Sequence, residues 1–421
     1  MEKGKIKKII LVLIFLTFVV LMAIFIWNTF FKSQIITQKP TDVVLDPVTG
    51  LPISPEGPGQ VVDPSGPGFI EDYEDEDDTQ TVPISPQITG EVSPTADGGV
   101  TKTTTIVQSP SLKPTLSRDG GSVQFYNQSD GKFYIVNESG DLIALSNKVF
   151  HNVSNVEWAP NKTKAVIEYP DGNKIVYDFT TEKQVTLPKH WEDFSFSPDS
   201  TKLVNKSLGI DPDNRWLIVS NSDGSQSRAL EFIGTNDDTV IPSWSPNNQY
   251  VGMYTKGVDF IRNEVFFIGQ NKENFKSATV EGWGFESKWS ESGDRLLYSV
   301  YSPNDDLKPK LWIVNSSPES IGVNRTNLQL ETWAEKCSFA DNTTVYCAVP
   351  NELPEGAGLY PQLAADSYDN LYRIDTRSGQ KELIATPDLA YNISGIIISQ
   401  DQKTIFFTDN TTGQIHKIDL R

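Results

Sequence analysis

From about residue 102 to the C-terminus, apolar residues occur in short runs separated by polar turns, a pattern that predicts β-strands. The clearest turn is Trp244-Ser-Pro-Asn247, which is followed by the apolar run Tyr250-Val-Gly-Met253. Related turns recur in order, and we count seven copies. They start at Leu116, Trp158, Phe196, Trp244, Trp289, Phe339 and Ile398. A further apolar run follows each copy, often with a tight turn and a short fourth strand.

Seven in-order units of four short strands predict an all-β fold, a seven-bladed β-propeller of four-stranded blades. A single four-stranded blade leaves both of its faces exposed, whereas blades stacked around an axis bury the faces of their neighbours. A β-sandwich or barrel with accidental repeats is the alternative. The regular order of the copies argues against that alternative.

Two of the copies, Phe196-Ser-Pro-Asp199 and Trp244-Ser-Pro-Asn247, resemble the Trp-Ser-Pro-Asp-Gly repeat of TolB-like, WD-repeat-like propellers. The resemblance covers the chain from about Lys102 to Arg421. The Gly-His and Trp-Asp pairs of true WD repeats are absent from the sequence. The resemblance implies a propeller fold and a bacterial source. It implies little about activity, because the repeat builds a scaffold on which many functions occur.

The last repeat ends at residues 415–421 and has no fourth strand of its own. Residues 103–108, a run of β-branched residues that ends in Gln108, precede the first inner strand and are free to supply the missing strand. We therefore predict that an N-terminal strand pairs with the last blade and closes the ring. With this strand included, the predicted propeller domain spans residues 102–421.

The N-terminal region predicts a membrane anchor. Residues 9–31 carry no charge and are numerous enough to cross a bilayer as one helix. Four of the first eight residues are lysines, whereas Lys32 alone follows the apolar segment closely. The positive-inside rule then predicts that residues 1–8 are cytoplasmic and that the propeller lies outside the cytoplasm on a single-pass signal-anchor at the cell membrane. A cleaved signal peptide is the alternative, but no small-residue cleavage site follows the segment.

Residues 32–101 are rich in proline, glycine and serine, and residues 71–78 form an acidic block. Such a composition buries too little apolar surface to offset the entropy lost on ordering, so we predict a disordered linker. We interpret the acidic block as part of a solvated spacer. Binding of a divalent cation or a basic partner to this block is the alternative.

The overall charge excludes one class of partner. The formal net charge is −19, and the region from residue 101 onward contains 41 acidic and 30 basic residues. An acidic surface repels phosphate backbones, so we expect no nucleic-acid partner.

The sequence contains no recognisable catalytic or metal-binding motif, and we expect no cofactor. The only histidines are His151, His190 and His416, and none forms a metal-spaced pair or part of a Ser-His-Asp set. Asp211-Pro-Asp213 faintly resembles a calcium loop, but the closing Glu is missing and a plain turn is the simpler interpretation. Ten Asn-x-Ser/Thr sequons are either glycosylation acceptors or turn residues of a β-rich surface.

Loop length predicts which face of the propeller binds a partner. The connections between second and third strands and the crossings between blades are long, and both lie on one face. The predicted partner-binding residues on this face are Trp191, Trp283, Trp333, Asp237, Asp238, Asp305 and Asp306. Aromatic rings among carboxylates suit a basic peptide, a protein loop or a sugar. Packing of the tryptophans between blades is the alternative.

These observations favour a non-enzymatic, membrane-tethered extracytoplasmic propeller that binds a protein or cell-envelope ligand. One rival is a carbohydrate-active or other hydrolytic propeller with carboxylates such as Asp237, Asp305 or Glu352 in its central funnel. The other rival is a structural spacer of the cell envelope. Carboxylates that converge in the funnel would favour the enzyme, and a mixed funnel lining would favour binding.

Cys337 and Cys347 are the only cysteines, and we predict that they form a disulfide. The sixth turn is one residue shorter than the fifth, which pairs Phe339 with Val345 and, two steps outward, Cys337 with Cys347. Directly opposed residues of an antiparallel pair have Cα separations that a disulfide accepts. The predicted compartment permits oxidation. Two free buried thiols are the alternative.

Overall fold

The computed structural model describes Met22 and residues 90–421. The predicted membrane segment, residues 9–31, and most of the predicted linker therefore lie outside the described residues. Within the part of the chain that the structure describes, no helix is long and apolar enough to cross a membrane.

Seven β-sheets form the blades of a propeller, which confirms the predicted all-β, seven-bladed fold. Blade 1 contains β3 (Ser111–Leu116), β4 (Val123–Asn127), β5 (Lys132–Val136) and β6 (Leu142–Ala144). Blade 2 contains β7 (Asn155–Trp158), β8 (Lys164–Glu168), β9 (Lys174–Asp178) and β10 (Lys183–Leu187). Blade 3 contains β11 (Trp191–Phe196), β12 (Lys202–Leu208), β13 (Arg215–Asn221) and β14 (Arg228–Phe232).

The remaining blades follow the same order. Blade 4 contains β15 (Val240–Pro242), β16 (Tyr250–Gly257), β17 (Arg262–Gly269) and β18 (Ala278–Glu281). Blade 5 contains β19 (Trp283–Trp289), β20 (Arg295–Tyr301), β21 (Pro309–Asn315) and β22 (Thr326–Asn327). Blade 6 contains β23 (Cys337–Phe339), β24 (Thr344–Pro350), β25 (Asp369–Asp375) and β26 (Lys381–Pro387), with β1 (Val100–Thr101) at its edge. Blade 7 contains β27 (Ile393–Ile398), β28 (Thr404–Asp409), β29 (Ile415–Asp419) and β2 (Thr104–Val107).

Short 3-10 helices lie in the connections, at Pro212–Asn214, Pro303–Asp305, Ala334–Lys336 and Pro361–Ala364. The first strand of each blade lies innermost, next to the propeller axis. We call the face with the inner-to-second turns the turn face. The opposite face, with the second-to-third connections and the crossings between blades, is the loop face.

The ring is closed by an N-terminal strand, as the missing fourth strand of the last repeat predicts. Strand β2 pairs antiparallel with β29, and Thr105 lies opposite His416. Ile106 and Val107 of β2 are buried in a cluster shared by blades 1 and 7. The first and last blades are therefore joined by main-chain hydrogen bonds as well as by apolar packing.

A short strand also lies before residue 102, at which the sequence predicts the propeller domain to begin. Val100 and Thr101, which belong to the predicted linker, pair in parallel with Thr386 and Pro387 at the edge of blade 6. Ala96 is buried against blades 6 and 7. Parallel pairing with a strand almost three hundred residues away has no local turn signal, so the sequence pattern does not reveal this strand.

The recurring Ser-Pro-Asp turn has a structural role. Ser197 Oγ donates to Asp199 Oδ1 at 2.6 Å and accepts the Lys202 N–H at 2.9 Å. Equivalent contacts are made by Ser245, Ser290 and Ser399. The hydroxyl therefore satisfies the first N–H of the second strand inside a tight turn. These polar side chains form hydrogen bonds within the turn and are therefore not available for chemistry.

The aromatic residue before the turn joins neighbouring blades. Trp158 Nε1 of blade 2 donates to the Lys113 carbonyl of blade 1 at 2.8 Å. Trp289 Nε1 of blade 5 donates to Ser243 Oγ of blade 4 at 2.8 Å. A large ring between blades supplies buried area, and its single donor is satisfied across the interface.

Candidate functional site

The loop face of blades 3 to 6 is acidic. The connections there include residues 209–214, 233–239, 258–261, 302–308, 328–336 and 351–368. Together these six segments contain twelve Asp and Glu residues and two basic residues, Lys308 and Lys336. A concentration of like charge on one face produces a negative potential that attracts cationic groups.

Large apolar side chains project from the same connections. Ile210 is 101% exposed and Phe260 is 92% exposed, and each belongs to a second-to-third connection. Leu359, Tyr360 and Leu363 are also exposed in the long connection of blade 6. Large apolar side chains exposed on one face of a domain indicate a surface for interaction. The sequence places Ile210 and the blade 6 residues in long connections, but their exposure depends on how those connections fold and has no local sequence signal.

The long connections of blades 5 and 6 support each other. The Gly356 N–H donates to the Asp306 carbonyl at 2.9 Å, and the Gly358 N–H donates to the Leu307 carbonyl at 2.8 Å. A Cβ atom on Gly358 would lie 2.5 Å from Tyr301 Cβ, so only glycine permits this approach. The two connections therefore form one braced surface.

The base of the blade 6 connection is also fixed. Asn392 Nδ2 donates to the Ala364 and Ala365 carbonyls at 2.8 and 3.0 Å. Beneath it, Lys336 Nζ lies 2.8 Å from both carboxylate oxygens of Asp369, and both side chains are buried. Asp369 Oδ2 also accepts the Ile393 N–H at 2.7 Å, which ties blade 6 to blade 7. The exposed residues of this connection thus rest on a rigid base.

The structure places the three predicted tryptophans in different environments. Trp191 is buried in a core of blades 2 and 3, and Trp333 is buried with Leu353 beneath the blade 6 connection. Their rings pack inside the domain because contacts with neighbouring elements cover them. This is the alternative stated for the tryptophans above, packing between blades. Trp283 is half-buried and lies against Tyr301, with ring centroids 6.3 Å apart. Trp283 is therefore the one of the three with surface available to a partner.

The predicted aspartates all lie on the loop face, but two of them have partners within the domain. Asp237 Oδ1 accepts from Arg215 Nη1 at 3.0 Å. Asp305 Oδ2 accepts from Ser302 Oγ at 2.7 Å. Asp238 and Asp306 are exposed. The blades bring Asp305 and Asp306 next to the blade 6 connection, whereas Asp237 and Asp238 lie in the crossing from blade 3 to blade 4.

An open cleft of about 600 Å³ lies between blades 3 and 4. Its lining includes two cross-strand aromatic pairs, Trp216 with Phe232 and Tyr254 with Phe266. Trp216 and Phe232 are 36% and 49% exposed. The cleft has no signal in the sequence, because the two pairs belong to different blades and come together only when the blades stack.

Charged side chains meet at the propeller axis. Lys113 of blade 1 is near both Glu157 of blade 2 and Lys288 of blade 5, although blades 1 and 5 are not neighbours. Only the axis brings these inner strands together. Charged residues in this axial group include Lys113, Lys162, Lys288, Glu157, Glu286 and Glu335, and Glu168 also acts on Glu157. The predicted funnel carboxylates, Asp237, Asp305 and Glu352, are not in this group.

The axial environment shifts several pKa values. Burial raises the pKa of Glu157 to about 7, against the opposing effect of Lys113 and Lys162. Desolvation and the charge of Glu335 raise the pKa of Glu286 to about 7. Burial lowers the pKa of Lys288 to about 8, although Glu335 opposes this shift. Lys288 Nζ donates to the Glu335 and Cys337 carbonyls at 3.0 and 2.6 Å, so this ammonium is held by the backbone of blade 6.

Among the described residues, no group of three or more His, Cys, Asp or Glu side chains is arranged to hold a metal ion. His416 is buried in β29, whereas His151 and His190 are exposed in crossings next to blade 2.

The fold is similar to that of known propellers. One is an oligogalacturonate lyase solved in complex with manganese, at 15% identity and a TM-score of 0.53, covering 76% of this chain and 93% of that chain. Another is the Cps50 (Swd1) β-propeller domain of Myceliophteria thermophila, at 13% identity and a TM-score of 0.50, covering 76% of this chain and all of that chain. At these identities the similarity shows the fold alone. No protein-family model and no curated protein sequence matches the chain.

Proposed function

We propose that the chain is a membrane-tethered, extracytoplasmic β-propeller of the TolB-like type that binds a protein or another cell-envelope ligand through its loop face. The observation that carries the proposal is the exposure of Ile210 and Phe260 on connections that also contain acidic residues. An apolar side chain at a loop tip gains free energy when a partner removes it from water. The braced connections of blades 5 and 6 supply a rigid platform beside it.

The binding proposal is tested with the full chain in lipid nanodiscs, used to capture proteins from the solubilised cell envelope. The variant Ile210→Ser/Phe260→Ser should lose a partner that the native chain retains. The control variant Leu142→Ser/Ile143→Ser changes two exposed apolar residues on β6, at the outer edge of blade 1, and should retain the partner. Equal capture by all three chains would contradict the proposal, and no capture at all would favour the structural spacer.

The membrane orientation is tested separately. Protease added outside intact cells or spheroplasts should digest the propeller, whereas residues 1–8 should stay protected. A propeller that remains protected until the membrane is opened would show the opposite orientation.

A carbohydrate-active or other hydrolytic enzyme is the second candidate. Two axial carboxyl groups with pKa values raised to about 7, Glu157 and Glu286, have the property that a general acid requires at neutral pH. Glu157→Gln and Glu286→Gln should then abolish hydrolysis of an oligosaccharide substrate while the fold is retained. Unchanged turnover in both variants would remove this candidate.

A further inference from the structure

The cleft between blades 3 and 4 is built from two aromatic pairs that face each other across the blade boundary. Trp216 and Phe232 are cross-strand partners in blade 3, with ring centroids 5.2 Å apart and nearly perpendicular planes. Tyr254 and Phe266 are partners in blade 4, with centroids 5.9 Å apart and stacked planes. Aromatic rings that remain open to solvent supply large contact area at low entropic cost when a ligand binds.

The backbone holds one wall of the cleft in place. Gly234 has a φ of 60° and passes directly against the Phe232 ring, where an added Cβ atom would lie 3.0 Å from the nearest ring carbon. A side chain at Gly234 would therefore press on the ring. The backbone restricts the ring on this side, which lowers the conformational entropy lost on binding.

The rim of the cleft is acidic. Glu231 and Glu273 line it, and the exposed Asp238 lies two residues after the lining residue Asn236. Lys272 is the one basic residue in the lining. Asp237, by contrast, is engaged by Arg215. Cationic groups on a ligand could therefore pair with these carboxylates while an apolar group contacts the aromatic lining.

The lining combines apolar and charged groups, which fits a peptide that has both kinds of side chain. Leu230, Val240 and Ile268 line the cleft together with the rings, and the polar side chains of the lining include Glu231, Asn236 and Glu273. The perpendicular arrangement of Trp216 and Phe232 forms a slot rather than a flat stacking platform. Such a slot accepts an aromatic or aliphatic side chain.

Charge also excludes two occupants from this chain itself. A second copy that docked loop face to loop face would bring like charges together, and residues 71–78 of the linker are an acidic block. Both would be repelled by the rim carboxylates.

We propose that this cleft binds a segment of a protein partner in which an aromatic or aliphatic side chain enters the slot between the two ring pairs and flanking lysine or arginine side chains meet the acidic rim. The inference rests on the proposed binding function and names the chemistry of the ligand. Affinity comes mainly from the buried anchor, whereas selectivity for cationic flanks comes from the carboxylates.

The test uses the full chain in zwitterionic nanodiscs and short synthetic peptides in which a central Trp, Leu or Gln is flanked by Lys, Gln or Glu. Peptides with a Trp or Leu anchor and Lys flanks should bind best, and added salt should weaken them. Trp216→Ala and Phe232→Ala should each weaken binding about tenfold or more, the scale of an aromatic anchor. The matched control is Ile143→Ala, which removes a 63% exposed side chain from the outer strand of blade 1 and should leave binding unchanged.

Three results would overturn the inference. The first is peptide binding that neither ring variant weakens, and the second is a preference for peptides with Glu flanks. The third is a cleft that binds uncharged oligosaccharides but none of the peptides. The proposed function is judged by a different variant. Ile210→Ser/Phe260→Ser could lose an envelope partner that Trp216→Ala and Phe232→Ala both retain. If these two ring variants also bind the peptides as tightly as the native chain does, the loop face binds a protein and the cleft does not.

Discussion

Thr105 Oγ1 of the closing strand lies 3.0 Å from His416 Nδ1 in the last strand of blade 7. The imidazole is buried, packs against Tyr391 and Phe407, and its Nε2 atom has no hydrogen-bond partner among the described residues. The seam of the ring therefore contains a titratable group held in its neutral form. This arrangement links ring closure to pH.

The closing strand should contribute substantially to stability. Ile106→Ala removes a buried side chain from the cluster shared by blades 1 and 7 and should lower the free energy of unfolding by roughly 2–5 kcal/mol. Thr104→Ala changes an exposed position on the same strand and should have little effect. Urea unfolding of both variants checks this, and equal stabilities would show that β2 is not part of the cooperative core.

The stability of the domain should fall at acidic pH because of His416. Burial lowers the pKa of His416 to about 4, against the opposing charges of Asp409 and Asp388, whereas an unfolded histidine titrates near 6.5. Between these values the unfolded chain binds the proton and the folded chain does not. Stability is therefore retained above pH 6.5 and lost as pH falls towards 4, by up to about 3 kcal/mol.

The variant His416→Gln isolates this effect. It should be less stable at neutral pH, because it loses packing, and its stability should fall less between pH 6.5 and 4 than that of the native chain. The raised pKa of Glu157 makes stability fall as pH rises from 4.5 to about 7. Because Glu157 is present in both chains, this effect cancels when their profiles are compared. Parallel profiles in thermal unfolding would contradict the assignment.

The cysteine pair should be oxidised in the mature protein. The structure places Cys337 directly opposite Cys347 in the register that the turn length predicts, and it joins them in a disulfide. Alkylation of the unfolded, unreduced chain should add no alkyl group to either residue, as read by intact mass. Replacing both with Ala should lower stability by about 2–3 kcal/mol, because the bridge closes a short loop. Two added alkyl groups would mean free thiols.

The buried ion pair under the blade 6 connection should show strong coupling. Lys336→Met leaves the Asp369 carboxylate buried without its cation and should cost roughly 3–5 kcal/mol. Adding Asp369→Asn removes that charge but keeps an oxygen for the Ile393 N–H, so the double variant should be more stable than additivity predicts. Additive losses in urea unfolding would show that the two charges act independently.

The tryptophans of the loop face should separate into two classes. Trp333→Ala removes a buried ring from beneath the blade 6 connection and should cost roughly 3–5 kcal/mol. Trp283→Ala removes a half-buried ring and should cost clearly less, while it weakens capture of a partner. Comparable losses of stability in both variants would assign Trp283 to the core as well.

The sequence alone determined the strand pattern, the number of blades and the need for an N-terminal closing strand. These features are local: each Ser-Pro-Asp turn satisfies its own hairpin, and a missing fourth strand is visible by counting. The opposition of Cys337 and Cys347 was also readable, since register within one hairpin depends only on the length of its turn.

Only the tertiary structure decided which side chains are covered and which meet. Trp191 and Trp333 are buried because neighbouring blades and the blade 6 connection lie over them, and Trp216 meets Tyr254 at one cleft because blades 3 and 4 stack. Glu157 and Lys288 share one axis because the ring closes. Burial, pKa shifts and concave sites arise from contacts between residues far apart in the chain, and such contacts leave no periodic pattern in the local sequence.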